Sequence, residues 1–201
     1  MSEAAKNASE SGPTRPRSGS FGGITRGAAA AARRIAGESA SGSDGLRAVR
    51  RRWVSGVAVV LTVDGEGFRG ATVSAFTVVS LSPPLVLICL EEMARLTSLL
   101  PAAGVFSVSL LDRRQEALAE RFAARAPLPD GRLSGIDYQL AASGCPVLTG
   151  AISWLDCRVS AIYPGGDHQI VVGEVITAGL VPVADDPLLT YEGSYRGLDL
   201  E

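Results

Sequence analysis

Histidine and cysteine are scarce in this chain. Its one histidine, His168, and its three cysteines, Cys89, Cys145 and Cys157, form no CxxC or Cys/His spacing. Neither a zinc site nor a disulfide framework is expected from them. No apolar run approaches the roughly 18 residues that a spanning helix needs. The start of the chain lacks a charged-then-apolar secretory pattern, and Arg33-Arg34 is followed by Ile35-Ala36-Gly37-Glu38-Ser39 rather than by the apolar stretch of a twin-arginine signal. An excess of one charge is missing too. With 19 basic and 21 acidic side chains the net charge is -2, which gives no general electrostatic reason to bind nucleic acid or an anionic membrane. There is no G-x-x-x-x-G-K-S/T phosphate loop and no regular alternation of strand and helix, so a nucleotide would be held differently than in a dinucleotide-binding parallel sheet. The expectation is a cytoplasmic protein without nucleic-acid, membrane or metal partners.

What is present is organised in two parts. Residues 1–43 are Ser, Gly, Ala, Pro and Arg with isolated Phe21, Ile24 and Ile35. These are too few large apolar groups to offset the entropy of ordering the backbone, so the segment reads as a disordered extension. The domain, residues 44–201, begins where Asp44 can cap a helix carrying Leu46, Val49 and Trp53 at three- and four-residue intervals. Beyond the helix breaker Gly56, a β-branched run over residues 57–63 is closed by Asp64-Gly65-Glu66-Gly67, and a hairpin partner over residues 68–76 continues through Leu81. After Pro83-Pro84, residues 85–90 are so apolar that both faces of that strand are expected to be covered. Residues 95–100 read as a helix ended by Pro101, residues 104–111 as a strand, and residues 115–124 as a helix with Leu118 and Phe122 on one side. Residues 151–163 and 169–178 are β-rich, joined by Pro164-Gly165-Gly166-Asp167-His168, and short strands flank Glu192-Gly193. The fold class is therefore mainly β with a few short helices, a barrel or sandwich.

The order of these pieces carries a resemblance. Trp53-Val54-Ser55-Gly56-Val57 is followed by Arg69-Gly70-Ala71-Thr72-Val73-Ser74-Ala75-Phe76-Thr77-Val78-Val79-Ser80-Leu81-Ser82-Pro83-Pro84, then by Gly104-Val105-Phe106-Ser107-Val108, Gly150-Ala151-Ile152-Ser153-Trp154 and Gly166-Asp167-His168. Over about residues 46–196, in collinear order, the chain resembles the short-chain flavin reductase family, the small component of two-component flavin monooxygenases. The resemblance implies a split β-barrel of Greek-key type, built as a homodimer, with FMN or FAD in a groove near the subunit interface. It implies NADH, by default over NADPH, as hydride donor and a flavin-dependent monooxygenase as acceptor of the reduced flavin. It also implies cofactor-binding roles for Thr72, Val73, Ser74, Ala75, Ser80, Cys89 and Leu90, and for Arg95, Leu96 and Thr97 in the phosphate-facing segment. His168, the one catalytic candidate, is implied to meet the nicotinamide.

The residues themselves bear on that assignment. Strand alternation places Thr72, Ser74 and Phe76 on one face and Ala71, Val73 and Ala75 on the other. A face of hydroxyls and an aromatic suits a flavin, which brings its own redox chemistry and needs orientation. Hydride transfer from a nicotinamide has no obligatory acid or base, so His168 is assigned to docking, with Asp167 placed to orient or charge it. The phosphate segment reads Glu91-Glu92-Met93-Ala94-Arg95-Leu96-Thr97 and departs from the family's small hydroxyl residues at Met93 and Leu96. Arg95, Thr97 and the helix amides are left to hold a phosphate. Trp53 and Trp154 read as core or dimer contacts, Cys89 and Cys157 as small hydrophobes, Cys145 as the most reactive thiol, and Arg50-Arg51-Arg52 as a solvated face. The leading function is NAD(P)H-dependent flavin reduction. Two alternatives stay open: a barrel of this type that has lost flavin reduction and performs a non-redox cyclisation or isomerisation, and a flavin- or haem-binding carrier.

Overall fold

The computed structural model describes residues 41–65, 67–123, 133–181 and 186–198. The chain divides into two units, Met1–Gly45 and Leu46–Glu201. The expectation of a disordered extension concerns residues of which 1–40 lie outside the described ones.

Helix α1 (Gly42–Arg51) contains no buried residue. Its apolar residues Leu46 and Val49 are exposed, and Trp53, 72% exposed, lies beyond the helix end. The stripe expected to pack on the core therefore does not do so within one chain, and Trp53 is not a core residue. Arg50, Arg51 and Arg52 are exposed, as a solvated face requires, and Arg51 also holds the C-terminal part of the chain. Its carbonyl accepts from Glu192 N at 2.7 Å and its Nη2 donates to Glu192 O at 3.1 Å, which ties the helix end to a turn near the C-terminus.

The strands that follow are β1 (Ser55–Gly56), β2 (Ala58–Asp64), β3 (Gly67–Val73), β4 (Phe76–Leu81) and β5 (Pro84–Glu91). After helix α2 (Arg95–Ala103) come β6 (Val105–Leu110), a 3-10 turn (Arg113–Gln115) and helix α3 (Glu116–Phe122). The rest is β: β7 (Tyr138–Leu140), β8 (Pro146–Leu148), β9 (Ser153–Gly165), β10 (His168–Leu180), β11 (Leu189–Tyr191) and β12 (Ser194–Arg196). Seven strands form one antiparallel sheet in the order β3-β2-β6-β9-β10-β5-β4, while β1-β11-β12 and β7-β8 make two small sheets. The two edge strands of the large sheet, β3 and β4, are consecutive in the chain. Joined through Ser74-Ala75 but not paired with each other, they make the barrel a split one.

This break corrects the reading of residues 68–81 as one continuous strand. It also breaks the alternation: Thr72 turns to helix α3, whereas Phe76 packs with Ala71 and Val73 on the barrel core. Gly65, Gly67 and Gly70 have G-x-G-x-x-G spacing, but they lie within the β2–β3 hairpin and not between a strand and a helix, so they form no dinucleotide turn.

Two cores share β2. Ala58 and Val60 enter the barrel interior with Ile88, Leu96, Leu100 and Phe106, while Val59 and Leu61 face a second cluster built on Leu111, Ala119, Phe122 and Leu148. Within the single chain β2 is thus covered on both faces, whereas β5, expected to be so, is covered on one. In β5 only Val86, Ile88 and Leu90 are buried, and the alternating face of Leu85, Leu87 and Cys89 stays half-buried in the single chain. Helix α2 runs through Pro101 rather than ending before it; the left-handed Gly104 closes it, donating its N–H to Leu100 O at 2.9 Å. Among the described residues no helix is long and apolar enough to cross a membrane.

Candidate active site

The site forms where four pieces of chain meet at one end of the large sheet. Cys89 donates its N–H to the carbonyl of Ala75 at 3.0 Å, which fixes the β3–β4 break beside the last residues of β5. On the other side of β5, His168 pairs with Glu91, Gln169 with Leu90 and Ile170 with Cys89. Glu92 N donates to Asp167 O at 3.0 Å, so the β9–β10 turn is held against the exit from β5. Helix α2 then starts one turn later, its first turn tied back by the Thr97 hydroxyl, which donates to Glu91 O at 2.7 Å. Antiparallel pairing thereby brings together residues about 80 positions apart in sequence.

Within this arrangement the candidate residues separate into groups. Ser74 and Ala75 are exposed at the break, and Cys89 is half-buried beside them. Val73, Leu90 and Leu96 point into the core, so only their backbone groups can reach a ligand. Thr72 donates its hydroxyl to Ala119 O at 2.6 Å and supports α3. Ser80 is not in the cluster. It lies five residues along β4 from Ala75, about 16 Å at strand rise, and its hydroxyl accepts from Ser82 N at 3.2 Å. Met93, where a family hydroxyl is expected, is 93% exposed at the turn into α2.

His168 Nδ1 lies 2.7 Å from Asp167 Oδ1. The hydrogen bond from His168, and then its charge, hold the Asp167 carboxyl below the usual carboxylate range. Arg95 reaches Asp64 at 3.4 Å, and Arg69 of β3 takes the other oxygen of that carboxylate at 3.2 Å. The sequence reasoning passed over Asp64 and Arg69 as functional residues. The signal was available in the hairpin arithmetic, since a turn that pairs Asp64 with Gly67 places Arg69 diagonally within reach.

Cys145 is not a reactive loop thiol. It is fully buried and leads into β8, its carbonyl accepts from Ala141 N at 2.9 Å, and burial pushes its pKa up. Burial, with the nearby Asp156 charge, pushes the Cys157 thiol up to about 12, and burial also raises that of Cys89. Trp154 lies flat on the backbone of Gly179 rather than on the site: a Cβ there would fall 2.3 Å from the indole.

Residues 50–199 match the family model described as "Flavin reductase like domain". The chain belongs to the flavin reductase family. A relative named NADH-dependent FAD reductase, from Streptomyces globisporus, is 44% identical over 154 residues, 75% of this chain and 83% of that protein. The reductase component of a 4-hydroxyphenylacetate 3-monooxygenase from Thermus thermophilus is 42% identical over 151 residues, 73% of this chain and 91% of the other. Among solved structures, the NADH:FAD oxidoreductase of Streptomyces globisporus C-1027 superposes with a TM-score of 0.74 at 39% identity, covering 80% of this chain and 97% of that one. Its complex with NAD and FAD fragments gives a TM-score of 0.70 at 39% identity, over 79% of this chain and 94% of the other. Family membership fits the barrel and its split. It also fits the meeting of the β3–β4 break, the end of β5, the start of α2 and the β9–β10 turn at one place.

Proposed function

We propose that this chain is an NADH-dependent flavin reductase that passes reduced flavin, FAD or FMN, to a separate flavin-dependent monooxygenase. The observation that carries the reading is the cluster at the open end of the sheet. Backbone donors and acceptors at Ser74-Ala75 stand at a strand break, where a planar ring edge can take the place of a missing ladder partner. Beside them lies the start of α2, whose leading amides at Arg95 and Leu96 suit an anionic phosphate. The buried Nε of Arg69, which has no hydrogen-bond partner among the described residues, is a further donor that an anionic cofactor would satisfy. When bound, flavin supplies the redox chemistry, accepting a hydride from the reduced nicotinamide.

The roles of the chain are orientation and exclusion of water. His168, held by Asp167, docks the nicotinamide nucleotide. Ser74, Ala75 and the backbone at Cys89 and Leu90 align the ring, and the Thr97 hydroxyl fixes the helix start that meets the phosphate. Thr72 and Leu96 support this surface from behind. The named relatives are reductases and favour neither the non-redox cavity nor the carrier.

We read the working unit, acting in the cytoplasm, as a homodimer. The exposed Val78, Val79 and Leu81 of β4 and the half-buried Leu85 and Leu87 of β5 leave apolar surface on both sides of this sheet edge, which a second copy would cover. The test is NADH oxidation by the purified full chain with and without FAD or FMN, accompanied by solution scattering. Flavin-dependent turnover that falls at least about tenfold in His168→Ala, with a larger change in KM for NADH than for flavin, supports the assignment. Absence of flavin binding and of turnover overturns it, and a scattering mass of one subunit overturns the dimer.

A further inference from the structure

Asp64 ends β2, Arg69 stands on the facing strand of the same hairpin, and Arg95 opens α2. Each oxygen of the Asp64 carboxylate takes one guanidinium: Arg95 Nη2 at 3.4 Å on Oδ1 and Arg69 Nη2 at 3.2 Å on Oδ2. One carboxylate thus holds two cations side by side and leaves one positive charge over. The Nε of Arg69 is buried and has no hydrogen-bond partner among the described residues. Guanidinium carries five N–H donors in a planar fork, and a buried donor left unpaired is costly. An arginine pair with unused donors in a partly buried setting is suited to phosphoryl oxygens.

Position decides which phosphoryl group this is. The redox end of the site lies at His168, opposite Glu91. From there the chain passes Glu91 and Glu92, whose carboxylates flank the turn, and reaches the first-turn amides of α2, which can hold one phosphate. The Arg95 side chain leads away from that point, to Asp64 and Arg69 at the end of the β2–β3 hairpin.

We propose that Arg69 and Arg95, held together by Asp64, form a second anion subsite that takes the adenylate-side phosphate of FAD, so that the site selects FAD over FMN. This rests on the flavin-reductase reading. FMN ends at the first phosphate, whereas FAD carries a second for which the arginine pair offers donors.

The experiment is equilibrium binding of FAD, FMN and riboflavin to the full chain, wild type against Arg69→Gln, with Arg69→Lys and Arg95→Gln beside them. The wild type is expected to bind FAD at least about tenfold tighter than FMN, the scale of one charge-assisted hydrogen bond. Arg69→Gln should remove most of that margin, raising the Kd for FAD about tenfold while moving that for FMN less than about twofold. Arg69→Lys should restore only part of it, because the charge returns without the fork. Equal weakening of both flavins would identify Arg69 as structural and overturn the subsite, as would a wild type that binds FAD no tighter than FMN. If Arg69→Gln does not fold, Arg95→Gln, altering a mostly exposed side chain, carries the same comparison. A wild type that turns over flavin but binds FAD no tighter than FMN removes the subsite alone. A wild type that binds neither flavin removes the reductase reading and the subsite together.

Discussion

Replacing Thr72 by valine separates support of the site from contact with the cofactor. The hydroxyl of Thr72 donates to Ala119 O at 2.6 Å in a half-buried position. Its loss costs about 0.5–1.5 kcal/mol for a neutral hydrogen bond. The valine methyl recovers part of this, about 0.4 kcal/mol for a half-buried group. No further penalty arises at the acceptor, because Ala119 O also receives Ala123 N at 3.0 Å and stays paired. The net destabilisation is about 0.1–1 kcal/mol, a fall in Tm of at most about 4 °C for a chain of this size. Since the hydroxyl is turned to α3, the Kd for flavin should change less than about threefold. Urea unfolding and a flavin titration on the same preparation check both numbers. A Kd raised about tenfold or more would show that the hydroxyl serves the flavin and that the assignment of Thr72 to support is wrong.

Gly173→Ala should destabilise the barrel by about 1–3 kcal/mol through overpacking, because the added Cβ would lie 2.4 Å from the fully buried Phe106 ring; Phe106→Leu in the same chain should recover part of the loss, and strict additivity in urea unfolding would contradict the clash. Iodoacetamide applied to the folded protein should modify Cys89 slowly and leave Cys145 and Cys157 untouched until denaturant is added, as mass spectrometry of labelled peptides would show; rapid labelling of Cys145 would contradict its burial.

Most of the strands were legible because their sequences carry β-branched runs between Gly and Pro punctuation, and the hairpin at Gly65 and the turn before His168 stand where that punctuation puts them. The failures share a cause. Periodicity treats a strand as straight and continuous, so nothing in Thr72-Val73-Ser74-Ala75-Phe76 announced that the ladder stops at Ser74 and resumes on the other edge of the sheet. An apolar run likewise does not say what covers it. Leu85 to Leu90 looked doubly buried, yet the strand between two cores is β2, whose sequence is no more apolar. Cys145 looked like a loop thiol because Gly144 and Pro146 flank it, while its burial comes from long-range packing. The site was legible as a set of motifs, but the pairing of His168 with Glu91, and the bond from Cys89 to Ala75, needed the three-dimensional order of β4, β5 and β10. Asp64 and Arg69 were missed because a charge pair in a hairpin reads by default as surface.

The break at Ser74-Ala75 joins β3 and β4, the two edges of the large sheet, by peptide bonds where every other neighbouring pair is joined by a ladder. Mechanically this is a seam. Edge strands exchange their amides and fray more readily than central ones, so breathing of the barrel would be expected first on either side of this two-residue stitch. A ring seated against that stitch would clamp both lips at once, and its departure would free them. On the proposed reading, in which reduced flavin must leave to be useful, the place where the wall is thinnest would also be the place where the cargo is held.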